Sequence, residues 1–171
     1  MAEALLARRL AGLGSPASAR SRGLLDSGRA CPPEVTTVMA AYGLDVAGHR
    51  SRQVTTGDLE QADLTLAMAR EHLRHAVVAV PSAWPSAFTL KELVRRGEAI
   101  GPRTAGESLA GWLARAHEGR ERAALLGDSP EDDVADPIGG PPHGYTETAA
   151  LLSQLLNRLV ELGWEQAGPE R

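Results

Sequence analysis

Cysteine is almost missing from this chain of 171 residues, and Cys31 stands alone. That excludes an internal disulfide and a thiolate zinc cluster, and it suits a reducing cytosol. Lysine is equally scarce: Lys91 is the single lysine beside seventeen arginines, and with 22 acidic residues the net charge is −4. Binding to a phosphate backbone needs clustered Lys and Arg, so nucleic acid is not an expected partner. Long apolar runs are lacking too. No window approaches the roughly 20 residues that cross a bilayer, so no membrane partner is expected. Arg8 and Arg9 interrupt the first apolar stretch, which does not read as a signal peptide. What is present is 43% hydrophobic residues with few aromatics, a composition that suits one compact, cytoplasmic domain over residues 1–171.

Apolar spacing predicts an amphipathic helix over residues 1–13, with Leu5, Leu6, Leu10 and Leu13 on one face and Gly14 and Pro16 as the stop. Residues 17–25 are predicted to hold a short strand, followed by a turn at Asp26-Ser27-Gly28. Pro32-Pro33 opens a second helix carrying Val35, Val38, Met39 and Tyr42 inward, with Gly43 placed to end it. Thr56 is predicted to cap a short helical turn through Gln61. Residues 64–68 then read as a buried strand, 71–80 as a helix stopped by Pro81, 87–90 as a second buried strand and 91–96 as a short helix. Strands alternating with helices argue for a parallel sheet with helices on its faces. A polar insertion, about 97–131, is expected to be peripheral and to carry a helix over 107–126. The Asp-, Pro- and Gly-rich stretch 128–144 reads as a loop, and 145–164 as a helix with Tyr145, Ala149, Leu152, Leu156 and Leu159 on its apolar face.

Four segments, taken in order, resemble the low-molecular-weight protein-tyrosine-phosphatase family: MAEALLARRL at the start, HRSRQVT (49–55), ADLTLAMAREHL (62–73) and DDVADPIGGPPHGY (132–145). The resemblance covers nearly the whole chain except 97–131. It implies a three-layer α/β fold in which a parallel sheet, four-stranded when complete, has helices on both faces. It also implies that the first strand and a Cys-x5-Arg-Ser/Thr phosphate loop would precede the segment beginning at Met1. No such loop occurs within the chain, because the residue six positions after Cys31 is Thr37. The nucleophile therefore has no candidate here. Either the true reading frame starts upstream, with a strand of about 5 to 6 residues and a short loop before Met1, or the protein is truly truncated and lacks phosphatase chemistry. Residues 1–171 expressed alone are expected to be inactive and poorly soluble, since a missing interior strand leaves two unpaired edges.

Hydrolysis of a phosphate monoester through a covalent intermediate needs a thiolate, donors for the phosphoryl oxygens and an acid for the leaving phenolate. The resemblance assigns the acid to Asp136, in Asp136-Pro137. Proline would stiffen that loop, while Asp132 and Asp133 would tend to raise the carboxyl pKa by like-charge repulsion. Read without the resemblance, the same Asp-Pro is a solvated turn. Many family members carry an aromatic after this proline, where this chain has Ile138. His49 and Ser21 are supporting candidates beside the active site, or equally a loop histidine and a strand-end serine satisfied locally. Arg22 stands where the family commonly has alanine.

Other signals are weaker. His72 and His75 share a helical face but have no third ligand at a recognised spacing, so no metal and no other cofactor is expected. Ser51 near His49 lacks a nucleophile elbow. Cys31 precedes Pro32-Pro33 and has no glycine-rich phosphate cradle. The expected function is hydrolysis of phosphotyrosine proteins or small aryl phosphates by the complete gene product. A non-catalytic binding module is one rival, and arsenate reduction on the same fold is another, although that chemistry needs further cysteines. Composition is silent on oligomeric state.

Overall fold

The structure, a computed structural model, describes residues 1–127 and 129–165. Asp128, where the predicted loop begins, lies outside the described residues. The chain divides into two compact units, one built from residues 1–54 and 135–157, the other from 55–134 and the chain after 157.

In the first unit, α1 spans Ala2–Gly12 and buries Leu5 and Leu10. Leu13, predicted to share that face, is 40% exposed because the helix has already ended. α2 spans Pro33–Ala41 with proline at its start, where the missing N–H costs nothing. It buries Val35 and Met39, and Gly43 follows in the left-handed region at φ 68°. Residues 17–25 do not form the predicted strand. Gly23 makes one isolated parallel bridge to Gln53, through Gly23 N–H to Arg52 O and Val54 N–H to Gly23 O, each 2.9 Å. The reason is the lack of a ladder partner among the described residues for the backbone groups before Gly23, and a strand exists only through such pairing.

In the second unit, α3 covers Thr56–Gln61. Its cap is Thr55, one residue before the predicted one: the Thr55 hydroxyl accepts the Asp58 N–H while Asp58 accepts the Thr55 N–H in return. β1 (Thr65–Ala67) and β2 (Ala87–Thr89) pair in parallel, with Thr65 opposite Ala87, Leu66 opposite Phe88 and Ala67 opposite Thr89. β2 is fully buried, whereas β1 buries only Ala67. α4 (Arg70–Ala79) and a 3₁₀ turn (Pro81–Ser86) connect the strands, the helical crossover that a parallel pair requires. The core here gathers Ala67, Leu73, Val77, Trp84, Ala87 and Leu125. α5 runs from Leu90 to Ile100, longer than predicted, and starts on a Thr89 cap.

The insertion corrects two expectations. Its predicted long helix is instead α6 (Leu109–His117) and a separate 3₁₀ turn (Arg122–Leu125), because Gly119 between them adopts φ 71°, outside any helix. Nor is the insertion peripheral. Trp112 and Ala116 are completely buried, and a Cβ on Gly97 of α5 would stand 2.8 Å from the Trp112 ring. The Trp112 indole N–H is satisfied by Gly101 O at 3.0 Å. Arg120, with its side chain 1% exposed, lies 3.8 Å from the Trp84 ring centroid and 3.9 Å from that of Phe88. It also donates to both oxygens of Glu92 and to the carbonyls of Trp84 and Ala87. A buried guanidinium satisfied on that many sides ties the insertion to β2.

α7 spans Pro142–Gly163. It starts earlier than predicted because Pro142 suits the first helical turn. The predicted apolar face is buried at Tyr145, Ala149, Leu152, Leu156 and Leu159. Among the described residues, no helix is long and apolar enough to cross a membrane.

Candidate functional site

The start of α1 carries the first part of the site. Met1 caps the helix without a side-chain hydrogen bond, and Glu3 lies in the first turn, where the dipole and the unpaired N–H groups favour negative charge. The Ser21 hydroxyl donates to Glu3 Oε2. His49 Nδ1 stands 3.7 Å from that same oxygen. One helix-start carboxylate therefore draws together the serine and the histidine, which are 28 positions apart in sequence. Sequence reasoning missed Glu3. Its signal was an acid at the second position of a helix whose cap residue has no oxygen to offer.

The segments bearing Ser21 and His49 are fixed by local hydrogen bonds. Ser51 Oγ donates to Asp26 O (2.9 Å) and accepts the Arg29 N–H (3.0 Å). Ser27 Oγ accepts the Gln53 N–H (2.9 Å), and Gln53 Nε2 donates to Leu24 O (3.3 Å). Ser51 is thus a brace, and its hydroxyl meets no side-chain base among the described residues.

Asp136 is exposed. Its Oδ1 accepts the Ile138 N–H at 3.0 Å, an Asx turn that holds the carboxylate over Pro137. The turn closes through Gly140 N–H to Pro137 O at 3.0 Å, and a Cβ on Gly140 would meet that same oxygen at 3.2 Å. Buried Thr148 of α7 donates to Ala135 O (3.4 Å), holding the residue before the acid. No hydrogen bond links Asp136 to Glu3, Ser21 or His49 among the described residues. Both readings of Asp-Pro survive locally, because a solvated turn and a presented acid share this geometry.

Asp132 and Asp133, expected from sequence to act on Asp136, each find donors of their own. Asp132 is buried and receives Arg70 Nε and Nη2, each at 2.8 Å, and Arg95 Nη2 at 2.7 Å. Burial pushes its carboxyl up, but the hydrogen bonds from Arg95 and Arg70 outweigh that and hold it below its ordinary range. Asp133 accepts the backbone N–H groups of Arg70 (2.7 Å) and Ser129 (2.9 Å). Each carboxylate is compensated by its own donors. A cavity of about 120 Å³ in the second unit has Arg70, Glu92, Arg95, Arg96, Arg120 and Asp132 among its lining residues, and each of these side chains already pairs with another of them. His72 sits 3.5 Å from Glu71, His75 is exposed, and no group of three metal-ligating side chains exists among the described residues.

Parallel strands joined through a helix define an α/β protein, and its first unit places a carboxylate, a serine and a histidine at the opening turn of a helix. Residues 1–98 match the model of the low molecular weight phosphotyrosine protein phosphatases, and the chain belongs to that family. It is 38% identical over 93 residues to a probable low molecular weight protein-tyrosine-phosphatase, EpsP, of Ralstonia solanacearum. That match covers 54% of this chain and 62% of the relative, so the aligned region spans less than two thirds of the relative's length. The fold is similar to the low molecular weight protein tyrosine phosphatase of T. tengcongensis, with 30% identity and TM-score 0.69 over 94% of this chain and 87% of the other. It is also similar to the YwlE arginine phosphatase of Geobacillus stearothermophilus, with 26% identity and TM-score 0.64 over 94% and 80%.

Proposed function

We propose that the complete gene product is a cytoplasmic phosphatase that hydrolyses phosphotyrosine in proteins or in small aryl phosphates. The observation that carries this reading is the convergence of Ser21 and His49 on Glu3 at the first turn of α1, inside the region that matches the family. A helix N-terminus is where a phosphoryl group and a thiolate are both stabilised. The nucleophile and the phosphate-binding arginine would come from a Cys-x5-Arg loop encoded before Met1. The thiolate attacks phosphorus, the phenolate leaves with the proton of Asp136, and Asp136 then takes a proton from the water that hydrolyses the cysteinyl-phosphate. Ser21 and His49 act as supports, aligned through Glu3. We place these steps in a single domain comprising all 171 residues, with residues 97–131 as its family-variable part.

Ile138 favours a second reading. It is 69% exposed and offers no ring to a phosphotyrosine, and the similar YwlE protein of Geobacillus stearothermophilus is an arginine phosphatase. Phosphoarginine is therefore the alternative substrate. Reduction of arsenate fits less well, because Cys31 is the one cysteine in the chain.

Translating the codons upstream of Met1 tests the reading first: an in-frame Cys-x5-Arg-Ser/Thr supports it, and an in-frame stop favours a binding module. Acid-quenched full-length protein, mixed with p-nitrophenyl phosphate, should then carry a phosphate on that cysteine by mass spectrometry. Absence of both the phosphoenzyme and steady-state turnover would overturn it.

A further inference from the structure

Composition argues against a polyanionic partner because the arginines are scattered in sequence, but the fold gathers some of them. Two bridges, Gly23 to Gln53 and Ala30 to Arg50, lock the chain before α2 to the chain after it. Arg20, Arg29, Arg50 and Arg52 are all exposed in this hydrogen-bonded knot. None of the four makes an ion pair among the described residues. Arg20 adjoins Ser21, and Arg50 adjoins His49, the two side chains that meet at Glu3. Arg20 and Arg50 are thus chain neighbours of the candidate site, and the bridged backbone holds Arg29 and Arg52 close to Arg50. The turn between them adds one acid, Asp26, and the exposed apolar pair Leu24 and Leu25.

We propose that these arginines form a rim to the site that selects substrates whose phosphorylated residue is flanked by Asp or Glu, an acidic protein segment rather than an isolated phosphate ester. The inference deepens the phosphatase reading and rests on it for the reacting centre. Exposed guanidinium groups beside a site draw an oppositely charged ligand and set its register, and the effect fades as salt screens it. A protein partner fits better than a nucleic acid. Binding to single strands relies on aromatic rings for base stacking, and Tyr42, half-buried at the end of α2, is the one aromatic residue between Met1 and Val54. Leu24 and Leu25 suit an apolar side chain among the acids.

The test compares two phosphotyrosine peptides on the full-length protein, one with Glu flanks and one with Ser flanks, by kcat/KM at low and high salt. The acidic peptide should be preferred about 5-fold at low salt, the scale of a few exposed ion pairs, and the preference should vanish at high salt. The combined Arg20→Gln, Arg29→Gln, Arg50→Gln and Arg52→Gln variant should show no preference. Equal turnover of the two peptides by the unaltered protein overturns the rim and leaves the phosphatase reading standing. If neither peptide nor p-nitrophenyl phosphate is turned over, the phosphatase reading fails, and fluorescence anisotropy with the unphosphorylated Glu peptide decides the rim alone. Salt-sensitive binding that is lost in the variant supports it, and no binding overturns it. Displacement of that peptide by oligo-uridine of equal charge at equal concentration overturns the choice of a protein ligand.

Discussion

Two residues in the second unit show how much single side chains decide. Gly97 is there because nothing larger fits, since a Cβ would stand 2.8 Å from the Trp112 ring and 3.1 Å from Leu162. Gly97→Val should therefore lower stability by about 1–3 kcal/mol, the cost of forcing volume into a packed core, read from the urea midpoint. Arg120 works through charge. Arg120→Met strips Glu92 of its bidentate partner and leaves it with Arg96 alone. The expected loss is about 2–3 kcal/mol, at or below the lower end for a carboxylate losing its cation, because the Glu92 side chain is 12% exposed. Arg158→Ala, which removes an exposed pair with Glu98, should leave the same midpoint nearly unmoved. Neither role was legible in sequence. A glycine in a helix and an arginine in a polar stretch look ordinary until the insertion is seen to pack against β2.

At the scale of elements, local chemistry and pairing behave differently. The helices α1, α2, α4 and α7 were readable because apolar spacing, proline starts and glycine stops are encoded within each segment. Residues 17–25 were misread because a strand depends on a neighbour that periodicity cannot supply, and only Gly23 finds one. The helix predicted over 107–126 failed at Gly119, whose left-handed backbone ended it. α6 also carries a titrating group at its end. His117 Nδ1 lies 3.1 Å from Arg120 Nη1, and its ring meets Trp84 edge-on. Burial, and then the charges of Arg120 and Arg96, hold the His117 pKa below its ordinary value, with Glu92 opposing. A histidine depressed in the folded state stabilises fully above its unfolded pKa of about 6.5, and that contribution is lost as the pH falls through the folded value. The melting temperature should therefore drop between about pH 7.5 and pH 5.5, and drop less in His117→Gln. An equal drop in the variant would contradict this account of α6.

For the whole molecule, family membership follows from ordered segments that no single residue could have supplied. The chain's own chemistry supports it partway. Ser21 and His49 were named from sequence and meet at Glu3, while Glu3 itself went unnoticed because its partners are distant in the chain. The turn at Asp136-Pro137 was legible as Asp-Pro, whereas the pairing of Asp132 was not, since Arg70 and Arg95 come from other elements to meet it. The central claim is that Asp136 protonates the leaving oxygen, and the most direct measurement is the leaving-group dependence of kcat/KM in the full-length protein and its Asp136→Asn variant. With phenyl phosphate, whose leaving group needs a proton, the variant should fall about 100-fold or more. With 2,4-dinitrophenyl phosphate, whose leaving group departs as the anion, it should fall far less. Equal losses on both esters, or no loss on either, would contradict the account.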